Sequence, residues 1–521
     1  MNLFAPVLLC LSLATTLPAA VVNYRNDGLG HAPDDVQLDD TYDIVWQAPL
    51  PEHGNGSPIV IGGQAYVVCD PGHEYEVPVL VAVDATTGEE IWQTPIDHFD
   101  LLANAAEAKQ VRTAFWELQR LAGTLAYEAN HAGGDVAAIK AQAEKAGLGI
   151  SEKKGKLSLY PKPKRAPADH PGNVLEKQYG WPKMTWGLTS IGATIASPVA
   201  DAERVYLSTA FKTVAAVDHA GKVVWMRWFK DEEYPSHDTA RFVHTPLLVG
   251  DKLIVHANRW LRAFDVANGK TAWELKTKMG LYQVGTPIHL SLDGTDVVFT
   301  ASGEVVRLAD GKLLAEGIGQ FGGGAGPITI APDTIYGSNG STGGKYRPGK
   351  DRRFTDQGGI ALRLTLQGDA VSVEQLWHNE DASAGEPTGV FIDGTIFLGA
   401  KKGIASIDAA TGKPIGNAKG ARTKQGLIAG GGLIFTQDNY REIGVFRAAP
   451  NPSLVTTFSL PYLEDIDQAK KAQIIAITSG RGLEKPDKWG SWNTSHAIPF
   501  PSGNRLFART FDALYCLGDK S

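Results

Sequence analysis

Cysteine is almost missing from this chain: three residues in 521, Cys10, Cys69 and Cys516. So few thiols exclude a disulfide-built scaffold and a zinc ribbon, and no C-x-x-C-H haem site is present. An excess of positive charge is missing as well. The balance is 50 Lys and Arg against 57 Asp and Glu, a net charge of -7, which argues against wholesale nucleic-acid binding. Beyond residue 22 no apolar run approaches the length of a membrane helix. There is no His-Glu-x-x-His helix and no Gly-x-Ser-x-Gly elbow, so two common hydrolase signatures are absent. The Gly-rich "GQFGGGAGP" (319–327) leads into a strand pattern rather than a helix, so it is not a phosphate loop.

What is present is glycine, 58 residues, together with 43% apolar residues. That composition suits a large soluble fold of many short strands and turns. The segment "LFAPVLLCLSLATTLPAAVV" (3–22) is apolar and ends in small residues, which reads as a secretory leader over 1–20 with cleavage near Ala19 or Ala20. The expectation is a protein that is periplasmic or secreted, with no integral membrane segment after cleavage. Cys69 and Cys516 then remain, either as a disulfide or as two buried thiols.

A unit repeats. "VAVDATTGEEIWQT" (81–94), "VAAVDHAGKVVWMRW" (214–228), "LRAFDVANGKTAWEL" (261–275) and "IASIDAATGKPIG" (404–416) share alternating apolar residues, an Asp, a Gly three or four positions on, and a further strand. Asp84, Asp218, Asp265 and Asp408 are placed to bond the backbone of a tight turn. Gly88, Gly221, Gly269 and Gly412 would supply positive φ there. Trp92, Trp225 and Trp273 occupy matching places on the following strand. Each copy is preceded by a small residue, often a Pro, and two more strands, as in "GSPIVIGGQAYVVCD" (56–70) and "HTPLLVGDKLIVHAN" (244–258).

Four short strands recurring roughly every 40 residues predict a β-propeller. The fold class is all-β: eight four-stranded antiparallel blades at 57–96, 195–229, 244–277, 284–318, 323–380, 385–417, 426–461 and 493–519. The eighth lacks an outer strand, and "VWQAPL" near the N-terminus matches "IWQTPI" of the first blade. Ile44 to Leu50 is therefore predicted to close the ring, within a propeller running over 42–521. An insertion over 97–190 follows the first blade. Its Ala-rich, helix-periodic part precedes "SEKKGKLSLYPKPKRAPADHPG", which is read as an exposed loop. A second excursion covers 462–492, with a short helix expected at 463–476.

The spacing Ala82-x-Asp84-x-x-Thr87-Gly88-x-x-x-Trp92 resembles the pyrroloquinoline-quinone (PQQ) repeat of quinoprotein alcohol dehydrogenases and of an outer-membrane assembly lipoprotein with the same propeller. The resemblance implies the fold for nearly the whole chain apart from the inserts. For function it implies two classes. One is an exported binding propeller, and the other is a dehydrogenase of alcohols or sugars using PQQ with calcium. The adjacent cysteine pair of those dehydrogenases is absent, and no acidic and amide set for the calcium can be assigned. The chain is thus read first as a binding protein, with a monomer expected and an anionic small molecule, glycan or protein as partner. The dehydrogenase is the alternative, and a lyase or hydrolase of an anionic glycan using a His base is a third reading.

Propellers bind ligands at one mouth of the channel, built from the loop entering each innermost strand and the turn between the second and third strands. Those turns carry Lys212, Arg259, Lys401, Lys402, Arg441 and Arg509, with Lys345, Arg347, Lys350, Arg352 and Arg353 on the fifth blade. A cation on most blades of an acidic protein suits an anionic ligand, although exposed turns also carry Lys and Arg without function. The entering loops bring His53, Asn55, Arg241, His244, Gln283, Glu386, Gln425, Trp492 and His496. His244 and His496 occupy equivalent positions, suited either to metal or acid–base work or to hydrogen bonds between blades. Trp489 and Trp492 suit either stacking on a planar ligand or packing.

Overall fold

The computed structural model describes residues 21–38, 40–51, 54–69, 77–161, 166–179, 196–209, 211–229, 244–257, 259–278, 285–318, 321, 326–339, 358–382, 388–400, 402–421, 423, 426–438, 441–461, 497–510 and 513–519. The leader and the 462–492 excursion lie outside them.

Eight four-stranded antiparallel sheets follow one another in chain order. Blade 1 spans 59–95, blade 2 199–228, blade 3 247–276 and blade 4 288–315. Blade 5 spans 328–379, blade 6 390–418, blade 7 428–459 and blade 8 500–518. Asp43–Pro49 pairs with Ala513–Gly518 and supplies the outer strand of blade 8, so the N-terminal strand closes the ring. The first strands of blades 2 and 3, 3 and 4, 4 and 5, 5 and 6, and 8 and 1 lie against one another, as strands around a central axis must.

The turn after each third strand forms as the Asp-to-Gly spacing dictates. Asp84 Oδ1 accepts from the N–H groups of Thr86 and Thr87, both at 2.8 Å, and Gly88 takes φ +76°. The fourth strand then carries a bulge. In every blade the register between third and fourth strands slips at the same place, for example at Ala82/Val83, Ala216/Val217, Ala263/Phe264 and Ala361/Leu362. A bulge adds a residue and sharpens local twist. Here the added residue is Ile91, Val224 or Leu376, which stays exposed, and the next residue is a Trp. The indole is thereby swung onto the neighbouring blade.

Five junctions are closed this way. Trp46, Trp92, Trp225, Trp273 and Trp377 lie over Gly88, Gly221, Gly269, Gly311 and Gly412, so close that any Cβ there would approach the ring to 2.8 Å or less. Each indole N–H donates to the carbonyl of the residue that opens the same turn: Ala85, His219, Val266, Leu308 and Ala409, at 2.7–3.2 Å. The other three junctions use different chemistry. Between blades 4 and 5, Asp369 is held by Arg307 (2.8 Å) and Lys312 (2.5 Å). Ser406 Oγ donates to Pro450 O (2.5 Å) between blades 6 and 7, and Tyr42 stacks on Phe458 (5.4 Å) between blades 7 and 8.

The small residues before each innermost strand form a collar around the channel. Ile498 N–H donates to Ser57 Oγ (2.8 Å), Ser57 N–H to Ser197 Oγ (2.8 Å) and Ser197 N–H to Thr245 Oγ1 (2.9 Å). Across the ring, Gly326 N–H donates to Thr388 Oγ1 (3.1 Å). Each such bond contributes about 1 kcal/mol and fixes one blade against the next.

The N-terminal segment 21–38 crosses the channel. Val22 forms a two-bond bridge with Ala200 of blade 2, and Asn23 bonds the backbone of Leu248 of blade 3 in both directions. Arg25, buried and at φ +54°, donates to Gly389 O (2.8 Å) and Leu427 O (2.7 Å) beside blades 6 and 7. Gly30 and Ala32 then pair with Ala429 of blade 7, and Gln37 N–H reaches Gly503 O of blade 8. Blades 2 and 3 stand opposite blades 6 and 7 in an eightfold ring. The chain's own segment therefore occupies the axis.

The insert after blade 1 is helical: α1 (Ala105–His131), α2 (Val136–Lys145) and α3 (Pro171–Lys177). Its root packs on blade 2, with Phe99, Phe115, Trp116, Leu175 and Tyr179 around Phe211 and Trp228. Buried Asp97 receives both terminal nitrogens of Arg112, at 2.8 and 3.0 Å. The segment read as a loop instead begins with a hairpin, Gly149–Lys153 against Lys156–Tyr160. Lys154 (φ +54°) and Gly155 (φ +71°) make the two-residue turn, and Leu157 is buried in the core of the insert beside Leu125 and Ile139. Alternating Leu157 and Leu159 was the strand signal within the polar composition.

Candidate functional site

The face opposite the turns that follow the third strands is built from the collar, the turns between second and third strands, and the root of the insert. Four sequence candidates for binding, Arg241, Lys401, Trp492 and His496, lie outside the described residues. So do His53, Gln283, Glu386, Gln425, Trp489, and the cations of the fifth blade's long turn. The other five binding candidates are described, and their surroundings differ sharply.

Arg509 is wholly buried between blades 8 and 1. Its Nη1 donates to Val68 O (2.7 Å) and Gly56 O (3.3 Å), and Nη2 lies 3.5 Å from Cys69 Sγ. Gly54 packs so tightly beneath the guanidinium that a Cβ would collide with it. This cation ties blades together. Arg441 is half-buried and donates to Leu460 O (3.1 Å) at the end of its own blade. Lys212 is buried at φ +66°. It lies at the root of the insert near His98, whose pKa is lowered chiefly by burial, with the charges of Arg112 and Lys212 acting in the same direction. Arg259 is exposed in its turn, as is Lys402.

His244 is buried. Its Nδ1 bonds Gly285 O of the next blade, and its ring stacks on His256 at 4.8 Å. Burial holds His256 well below the usual His range, with the neighbouring His244 acting in the same direction. His256 Nε2 meets Thr277 Oγ1 at 3.0 Å. The pair links blades 3 and 4, which matches the interblade hydrogen-bond alternative.

Cys69 and Cys516 are both buried thiols that are not joined in a disulfide. Among the described residues no group of three or more His, Cys, Asp or Glu is gathered to hold an ion. The described residues thus show no carboxylate cluster for a calcium ion, and Arg509 and Arg441 donate to backbone carbonyls. Among the described residues no helix is long and apolar enough to cross a membrane.

A family model described as outer membrane protein assembly factor BamB matches residues 172–326. That stretch holds blades 2, 3 and 4 with the Asp–Gly turns and the Trp docking described above. The protein is an eight-bladed propeller, and its matched stretch is similar to that family's repeat. Two solved structures are similar to it at low identity. BamB from Moraxella catarrhalis is 11% identical, with 92% of this chain and 98% of that chain covered and a TM-score of 0.44. Quinohemoprotein alcohol dehydrogenase from Comamonas testosteroni is 10% identical, with 96% and 81% covered and a TM-score of 0.46. Neither likeness is near enough to carry a function. No curated protein is a detectable sequence relative.

Sequence reasoning missed two features of this propeller. One is the segment in the channel. The other is Trp260, which follows Arg259 directly and stands on the same rim.

Proposed function

We propose that this protein is an exported, non-catalytic binding propeller that meets an anionic partner on the rim around the collar and insert. The observation that carries this reading is the channel segment. With Val22 to Gln37 strung between opposite blades and Arg25 buried on the axis, the channel is filled from one end by the chain itself. Recognition is then left to the opposite rim. The cations open to solvent there, Arg259 and Lys402, support an anion at the rim rather than on the axis. Export is supported by the apolar leader.

The test is a panel of immobilised polyanions: a carboxylated glycan, a sulfated glycan and an acidic peptide. The reading expects at least one to bind with affinity that falls as salt rises, and to be lost on the double substitution Arg259→Glu, Lys402→Glu. Binding to none, or binding indifferent to charge reversal, overturns it.

A further inference from the structure

We infer that the rim of blade 3 is a subsite for a carboxylate-bearing sugar ring, with Trp260 as the stacking platform and Arg259 and Lys276 as the cations that meet the carboxylate. The inference rests on the rim-binding reading above and names its ligand.

Trp260 opens the third strand of blade 3, immediately after the turn that carries Arg259. It pairs across the ladder with Lys276, and Arg262 pairs with Glu274. Residues two apart on a strand, and those directly opposite, share one face of a sheet. Trp260, Arg262, Lys276 and Glu274 therefore stand together. Arg262 is buried and bonded to Glu274 Oε2 at 3.2 Å. Its guanidinium lies 4.1 Å from the Phe229 ring centroid and 5.1 Å from that of Trp260. The indole is thus fixed from one side by a side chain that is itself fixed.

Trp260 is only half-buried. Lys276 Nζ lies 5.8 Å from its centroid, and Lys276 and Arg259 are both exposed. A rigid aromatic with the Lys276 ammonium beside its ring, and an exposed Arg259 directly before it in the turn, offers a flat apolar surface near positive charge. That is the complement of a pyranose with an apolar C–H face and one carboxylate. A nucleic-acid strand fits less well. It needs successive aromatic platforms along a basic track, whereas this patch has one ring on a protein of net charge -7. The patch also adjoins the insert: Phe229 follows Trp228, which packs into the root of the insert.

The test is titration of the protein with a galacturonic acid oligomer, followed by indole fluorescence and calorimetry, with a neutral galactose oligomer and a single-stranded oligonucleotide as comparisons. Saturable binding of the acidic sugar alone is expected. Trp260→Ala should weaken it roughly tenfold or more. Lys276→Glu, at an exposed position, should weaken it comparably without altering thermal unfolding. Acidic-sugar binding unchanged in both variants places it elsewhere and overturns the inference, leaving rim binding intact. So does no acidic-sugar binding while the sulfated glycan or acidic peptide still depends on Arg259. Oligonucleotide binding that Trp260→Ala abolishes overturns the sugar in favour of a stacked base.

Discussion

Trp92 of blade 1 donates its indole N–H to His219 O of blade 2 at 3.0 Å while its ring covers Gly221 two residues further on. One side chain thus meets both the polar and the apolar demand of a blade junction. The glycine has a double reason to be there: φ +89° and an indole 2.8 Å from where its Cβ would stand.

Gly221→Ala should therefore destabilise the protein by about 2–4 kcal/mol, combining backbone strain with overpacking. Gly250 is the control. It has φ +57° and open space around it, so Gly250→Ala should cost only about 1 kcal/mol. Chemical denaturation of both variants checks the difference. Equal costs would mean that the Trp contact contributes nothing beyond the turn.

The joint between insert and propeller is predicted to weaken in acid. His98 is buried against Trp228, with ring centroids 4.5 Å apart, and burial pushes its pKa down to about 3. Its folded pKa lies below the unfolded value of about 6.5. The stability it permits is thus complete above about pH 6.5 and declines as pH falls towards 3. The slope approaches about 1.4 kcal/mol per pH unit within that window. Protection factors of the amides in α1 and α3, corrected for the intrinsic pH dependence of exchange, should fall from pH 7 to 4, and His98→Phe should flatten the dependence.

Arg25→Ala should release the channel segment. It removes two bonds to Gly389 O and Leu427 O and leaves both carbonyls to find other partners, at a cost of roughly 2–4 kcal/mol. Exchange of the backbone amides of Ala32 and Gln37, which are bonded to blades 7 and 8, should accelerate by at least tenfold. Unchanged protection would show that the bridges of Val22 and Asn23 hold the segment alone.

Cys69 and Cys516 should alkylate only on unfolding, each adding one label without prior reduction. Burial pushes the Cys516 thiol up to about 12, which keeps it protonated and inert in the folded protein. Failure to label in denaturant would reveal a disulfide.

The blades were legible because their signals are local. An Asp, a Gly and a Trp within about ten residues specify a turn, a bulge and a docking ring, and the match of "VWQAPL" to "IWQTPI" announced the closing strand. The channel segment was not legible. Its bonds reach far along the chain, 225 positions from Asn23 to Leu248 and 402 from Arg25 to Leu427, and 21–38 has neither strand alternation nor helical period. The rim cations were legible as turn residues, but their burial was not. Arg509, read as a turn residue, instead ends the second strand of its blade and is enclosed by Gly54, Gly56 and Val68, while Arg259 stands in the turn of blade 3 and faces solvent. Trp260 was visible beside Arg259, but what sets it apart is Arg262 beside its ring, a contact that depends on Phe229 of another blade.

The most direct test of a propeller that binds at its rim and has a self-filled channel is titration with PQQ and calcium, followed by indole fluorescence and by dye reduction with mixed alcohols and sugars. The account predicts no saturable quenching at micromolar PQQ and no dye reduction. Saturable quenching accompanied by turnover would contradict it and make this protein a quinone-dependent dehydrogenase.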